Sequence, residues 1–98
     1  MSQSGASGDA GEVGFNVVTP AFPATTVKVT NTNGFSVDII FLTAGTTTVY
    51  TITDALGTTQ SVTAVITAGQ IIRLGPKEQI SITFSAAPTW KWKGVAPF

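Results

Sequence analysis

Apolar and polar side chains alternate along much of the chain, most cleanly over residues 79–85. There Ile80, Ile82 and Phe84 alternate with four polar residues. Successive side chains of a β-strand point to opposite faces, so this spacing places the three apolar side chains on one face. The pattern predicts a β-strand with one buried face.

Six further segments with a strand-like pattern lie between short runs of turn-forming residues. Threonine, valine and isoleucine are frequent in them, and such β-branched side chains suit a pleated sheet. Glycine, proline, asparagine and aspartate mark the connections. Short strands at this spacing, without helical periodicity, predict an all-β fold, a small antiparallel β-sandwich or barrel of jelly-roll type. The seven predicted strands are 25–31, 36–43, 47–53, 61–67, 70–74, 79–85 and 89–95.

The first part of the chain differs in composition from the rest. Residues 1–14 are rich in glycine and serine and carry little apolar area, so on their own they are expected to be flexible. Residues 15–24 add apolar side chains, and two prolines disfavour a central strand there. We therefore predict a flexible head and extended N-terminal arm over 1–24 and a β-sandwich domain over 25–98.

The arm has two interpretations at the level of sequence. It is either a first edge strand that packs on its own domain or an extension that reaches a neighbouring subunit. In both cases its apolar side chains make the contacts. These side chains are Phe15, Val17, Val18 and Phe22.

The strand predicted over 36–43 carries apolar side chains on both faces. Val37, Ile39 and Phe41 would fill the core. Ile40 and Leu42 then point to the opposite face, which indicates that this second face is also covered. A loop, the N-terminal arm or a neighbouring protein would supply the cover.

The composition favours a protein that works within an assembly. Only 10% of the residues are charged, and five basic and five acidic residues give a net charge of zero. Typical domains carry about 25% charged residues, which keep their surfaces soluble. A neutral, charge-poor chain is therefore expected to have part of its surface covered, by copies of itself or by a larger structure.

The same composition argues against several classes of partner. Five scattered cations do not form the basic patch that nucleic acid requires. No apolar run approaches the length of about 20 residues that spans a bilayer. The N-terminal residues lack the charge and apolar core of a signal peptide. The absence of cysteine is compatible with synthesis in a reducing cytoplasm.

The chain also lacks the residues of common active sites. Without histidine or cysteine it has neither the usual general base, nor a thiolate, nor the usual zinc ligands. No motif pairs the acidic residues, and Asp38 and Asp54 lack the oxygen-rich loop of a calcium site. No glycine-rich loop resembles a phosphate-binding site. We predict a protein that is not an enzyme and that uses no metal or cofactor.

Trp90 and Trp92 allow a binding hypothesis. Two positions apart on a strand, they share a face and, with Tyr50, would form a platform on which sugar rings stack. Aromatic side chains also dominate small cores, because each buries about 150–250 Å². The favoured interpretation is that both tryptophans are buried, in the core or in a subunit interface, and that Lys91 and Lys93 lie on the outer face of an edge strand.

The order of several motifs resembles a known module. An Asn-aromatic turn lies at 29–35 (Val-Thr-Asn-Thr-Asn-Gly-Phe), and a Gly-Thr-rich hairpin follows at 44–53. A proline-marked turn precedes Ile-Thr-Phe at 82–84, and Ala-Pro-Thr-Trp-Lys-Trp stands at 87–92. Over roughly residues 20 to 95 the chain is similar to a small β-sandwich module of tailed-bacteriophage virion proteins.

This resemblance implies a structural role in the virion. A free-standing copy with a flexible N-terminal arm is similar to capsid decoration, or cement, proteins. Such proteins bind the outer surface of the head, commonly as trimers, and stabilise the shell through contacts with the major capsid protein. The motifs do not separate a head protein from a tail or collar component, and the carbohydrate-binding or adhesion module stays an alternative.

Overall fold

The computed structural model describes residues 13–96, which form eight β-strands and no helix. The strands make two antiparallel four-stranded sheets, which confirms the predicted all-β sandwich, with eight strands in place of seven. Their bounds are β1 Val13–Asn16, β2 Val29–Thr30, β3 Val37–Thr43, β4 Thr46–Thr53, β5 Thr59–Thr63, β6 Ile71–Leu74, β7 Gln79–Ala86 and β8 Thr89–Ala96.

The strand order is β1-β8-β3-β6 in the first sheet and β2-β7-β4-β5 in the second. The two central pairs, β3 with β8 and β4 with β7, belong to the same antiparallel ribbon. Val37 lies opposite Gly94 at one end of this ribbon, and Thr53 lies opposite Gln79 at the other. The sandwich is therefore one long ribbon folded in half, with a shorter strand on each side of each half.

The fold in the ribbon is a pair of stacked corners. The chain passes from β3 to β4 through residues 44–45 and from β7 to β8 through residues 87–88. Gly45 has a positive φ of 57°, and a Cβ there would lie 2.5 Å from the backbone nitrogen of Pro88. Only glycine leaves room for the two backbones to approach this closely. Thr43 and Thr89 join the corners through a hydroxyl–hydroxyl hydrogen bond of 2.9 Å.

The core lies between the two halves of the ribbon. β3 contributes the three side chains that its alternation predicts, and β7 contributes Ile80 and Ile82. Phe84 is half-buried and packs against this cluster. Within residues 13–96, the buried cluster consists of Val37, Ile39, Phe41, Ile66, Ile72, Leu74, Ile80, Ile82, Trp90 and Trp92.

Two irregular segments close the sides of the sandwich. Residues 64–70 cross from β5 to β6, and Ile66 is fully buried. The backbone N–H of Ile66 donates to the buried hydroxyl of Thr47 at 2.8 Å. On the other side, residues 17–28 connect β1 to β2, and Thr25 Oγ1 accepts a hydrogen bond from the backbone N–H of Phe84.

Three sequence predictions need correction at the level of elements. The strand predicted over 25–31 is reduced to Val29–Thr30, because Thr26 has a positive φ of 66° that a strand does not tolerate. The strand predicted over 61–67 ends at Thr63, where the chain begins its crossing to the other sheet. β8 is not an edge strand, because β1 pairs with it from Val13 to Asn16.

Candidate functional site

The candidate site is the outer face of the β1-β8-β3-β6 sheet, on the side away from the core. Ile40 of β3 lies opposite Ile71 of β6, so the two side chains share this face. Leu42 lies two residues further along β3, at a register shift in the pairing of β3 with β8, and its side chain is also exposed. Leu42 and Ile71 are each 57% exposed, and Ile40 is half-buried. We call these three residues the aliphatic patch.

The aliphatic patch was only partly visible in the sequence. Ile40 and Leu42 were expected to be covered, yet residues 13–96 leave Leu42 open to solvent. Alternation alone does not identify Ile71, because its contribution depends on the pairing of β6 with β3, which lie some thirty residues apart. Adjacent apolar residues at the start of the predicted strand 70–74 are the signal that would have found it.

Charged side chains border the aliphatic patch. Lys91 lies opposite Ile40, and Asp38 lies between Arg73 and Lys93 in the next row. Arg73 Nε donates to a carboxylate oxygen of Asp38 at 2.9 Å, and this pair remains accessible to water. Three of the five basic residues of the chain therefore lie on the same face with one acidic residue, which gives the face a net positive charge.

The side chains of the predicted arm lie mostly on their own domain. Phe15 packs against Phe35 with ring centroids 5.1 Å apart. The ring centroids of Phe22 and Trp90 are 4.5 Å apart, and Val17 packs against the core. The first interpretation, packing on its own domain, therefore describes these side chains, although the edge strand itself is limited to Val13–Asn16. Val18 is the exception, since it is 89% exposed. Of the flexible head predicted over residues 1–14, residues 1–12 lie outside the described residues, and Val13 and Gly14 belong to β1.

The tryptophans are buried, as the favoured interpretation expects. Trp90 is 7% exposed and Trp92 is 2% exposed, so neither offers a ring face to a sugar. Trp90 Nε1 donates to the carbonyl oxygen of Pro20 at 2.9 Å. Tyr50 lies on the other sheet, opposite Ile82, and packs against the core. The three aromatic residues therefore do not form an exposed platform.

A small surface hollow lies beside Trp92. It has a volume of about 150 Å³. The indole N–H of Trp92 is buried and has no hydrogen-bond acceptor among the described residues. The hollow is lined by Val18, Pro20, Thr30, Thr32, Asn33 and Trp92.

The outer face of the β2-β7-β4-β5 sheet has a different character. A cross-strand triplet of small hydroxyl side chains lies on it, with Thr51 between Ser61 and Ser81. Thr51 and Ser61 share a hydroxyl–hydroxyl hydrogen bond of 2.9 Å. No charged residue belongs to any of these four strands. The two outer faces of the sandwich thus differ in both charge and polarity.

The acidic side chains among the described residues serve the backbone or pair with a cation. Asp54 Oδ1 accepts hydrogen bonds from the N–H groups of Leu56 and Thr58, both at 2.9 Å. Glu78 Oε1 accepts one from Gly75 at 2.6 Å. Among residues 13–96, no three acidic, histidine or cysteine residues form a group that could hold a metal ion. The same part of the chain has no helix that could span a membrane.

No protein-family model matches the chain, and neither the curated proteins nor the solved structures contain a significant match.

Proposed function

We propose that the chain is a non-enzymatic structural protein of a bacteriophage virion that binds the outer surface of the head and stabilises the shell. The major capsid protein would be its partner. The proposal rests on the resemblance of the motifs between residues 20 and 95 and on one structural observation. That observation is the aliphatic patch, which is partly exposed on the outer face of a sheet and bordered by basic side chains.

The aliphatic patch supports a docking role because of where its side chains lie. Ile40 and Ile71 sit on paired strands of the sheet, so no rearrangement is needed to present them. Burial of apolar area contributes about 25 cal/mol per Å². Each bound copy would bury its own aliphatic patch, so this stabilisation would be repeated at every equivalent position of a symmetric shell.

The basic side chains around the aliphatic patch indicate the chemistry of the partner surface. Lys91 and Lys93 would lie at the rim of the interface, where charges govern orientation and association rate more than affinity. The matching partner surface would be apolar at its centre and carry carboxylates around it. Binding of this kind weakens moderately as salt screens the rim, while the apolar contribution persists.

The packing of residues 15–22 reduces the number of arm side chains that are free to contact a partner. Phe15, Val17 and Phe22 contribute to the fold of their own domain, so deleting them would test folding together with binding. Val18 is exposed and makes a separate test possible. We propose that Val18 is the residue of this segment that is free to contact a partner.

The experiment is a binding assay on phage heads. Heads of the phage that encodes the chain are prepared without this protein, mixed with the purified chain and sedimented. We expect saturable binding by the parent chain and at least a tenfold loss of affinity for the double variant Leu42→Asp, Ile71→Asp. The variant Thr83→Asp carries a new charge on the opposite outer face and serves as the matched control.

The outcomes separate the alternatives. Binding to tails and not to heads would overturn the head assignment in favour of a tail or collar component. Equal binding by the double variant and by Thr83→Asp would show that the aliphatic patch is not the docking surface. A melting temperature close to that of the parent confirms that each variant is folded.

A further inference from the structure

The outer edge of β5 is unpaired among the described residues. β5 is the last strand of its sheet, and β4 pairs with one side of it from Thr59 to Thr63. No backbone hydrogen bond outside this ladder involves its five residues. Such an edge presents a row of backbone donors and acceptors to solvent.

This edge lacks the devices that usually prevent strands from pairing. Natural edge strands are protected by charged side chains, proline, bulges or very short length. Among the other edges, β2 has two residues, β6 carries Arg73, and β1 has four residues that include Gly14. β5 has five residues in regular register, with no charge, proline or glycine. The whole segment from Ala55 to Ile72 contains no charged residue.

Two large aliphatic side chains are exposed on either side of β5. Leu56, in the turn before the strand, is 93% exposed, and Val65, just after it, is 66% exposed. Leu56 lies five positions before Ser61, and Val65 lies four positions after it. Ser61 is thus close to the centre of a segment that has an exposed aliphatic residue near each end.

We propose that two copies of the chain associate through β5, which pairs antiparallel with β5 of the second copy. Ser61 would lie opposite Ser61 of the second copy, on the two-fold axis. The β2-β7-β4-β5 sheet of one copy and the same sheet of the second copy then form one continuous sheet of eight strands. This proposal is independent of the proposed function.

A second copy fits this edge better than an unrelated strand because the segment is complementary to itself. Antiparallel pairing brings the start of one strand to the end of the other, so Leu56 of one copy approaches the region of Val65 of the second. Both ends of the interface thereby gain an apolar contact. The lack of charge also removes the repulsion that two identical edges would otherwise experience.

The test places charge on the two-fold axis. The mass of the parent chain is measured by sedimentation equilibrium, and we expect twice the monomer mass. Ser61→Lys puts two like charges directly opposite each other, so we expect it to be monomeric at concentrations where the parent is dimeric. Ser61→Glu should behave in the same way, whereas an equimolar mixture of the two variants should recover the dimer mass.

The controls distinguish pairing from a general effect of charge. Ser61 is exposed on the outer face, so both substitutions are compatible with folding, which the melting temperature verifies. Thr83→Lys adds the same charge to the exposed face of central β7 and should leave the dimer intact. A monomeric parent, an oligomer unaffected by Ser61→Lys, or a mixture that stays monomeric would each overturn the proposal.

Discussion

At the scale of single residues, Asn31 connects two turns that are far apart in the sequence. Its side chain is fully buried, and Nδ2 lies within 3.1 Å of three carbonyl oxygens, those of Phe35, Leu74 and Gly75. Its Oδ1 accepts from the backbone and the side chain of Asn33. The sequence indicated a turn here. It did not indicate the buried contacts, because these depend on the docking of residues more than forty positions away.

Removal of the Asn31 side chain is expected to lower the free energy of unfolding strongly. Asn31→Ala removes a donor from the buried contact with the Leu74 carbonyl and from the partly buried carbonyls of Phe35 and Gly75, and an unsatisfied buried group costs about 1–3 kcal/mol. We expect the free energy of unfolding to fall by at least about 2 kcal/mol in urea denaturation, given that cost per group. Thr32→Ala, at the exposed neighbouring position, is the control and should change it little. Equal effects of the two substitutions would contradict the assigned role.

The ion pair between Arg73 and Asp38 is expected to contribute little to stability, in contrast to the Asn31 side chain. Both side chains remain accessible to water, and exposed pairs contribute about 0–1 kcal/mol. Arg73→Gln should therefore change the free energy of unfolding by less than about 1 kcal/mol. The same urea denaturation measures it. A larger loss would show that Arg73 contributes to the sheet in another way.

At the scale of elements, the regular strands follow the sequence pattern and the irregular segments do not. β3, β4, β6, β7 and β8 agree with their predicted bounds to within one residue at each end. Residues 64–67 are as β-branched as any strand, yet they leave the sheet so that Ile66 can fill the side of the core. The aliphatic patch follows the same rule. Alternation identifies Ile40 and Leu42, whereas Ile71 requires knowledge of which strands pair.

The stacked corners predict unequal effects at two glycines. Gly45→Ala forces a Cβ against the backbone of Ala86 and Pro88. Overpacking costs about 1–3 kcal/mol, and the positive φ adds about 1–2 kcal/mol. Gly57 also has a positive φ but nothing lies within 4 Å of its position, so Gly57→Ala should cost only the backbone strain. Thermal unfolding compares them, and equal losses would contradict the close approach.

Within the segment 17–28, Phe22 packs on a tryptophan, so its removal is expected to change the fluorescence. Phe22 covers Trp90, and its ring centroid lies 5.6 Å from that of Phe84. Phe22→Ala should admit water to Trp90 and shift its emission to longer wavelength, whereas Leu56→Ala, at an exposed turn of the other sheet, should leave the spectrum unchanged. The parent emission should lie at short wavelength and should not respond to added glycans. A response to glycans would restore the carbohydrate-binding alternative.

At the scale of the whole molecule, the folded ribbon makes nearly every strand contact long-range in sequence. β3 pairs with β8, and β1 pairs with β8 at the other end of the described chain. The chain must therefore close large loops before these contacts form. Neither the alternation nor the composition predicts this topology, because both are properties of local sequence.

This topology predicts slow folding. Sandwiches dominated by distant pairings fold in about milliseconds to seconds, more slowly than proteins with local contacts. Stopped-flow tryptophan fluorescence should show refolding of the parent chain in this range, since Trp90 and Trp92 become buried only when the two halves of the ribbon meet. Complete recovery of the signal within microseconds would contradict this expectation.

The pairing of β1 with β8 has a mechanical consequence. Val13 lies opposite Ala96, so the two ends of the described chain leave the sheet side by side. A force that pulls these ends apart would break the hydrogen bonds between β1 and β8 one after another, beginning at the pair of Val13 and Ala96. Force that crosses the broad faces of the sheets would instead be shared among many bonds at once. A molecule of this design would withstand load through its faces and would yield when stretched from its ends.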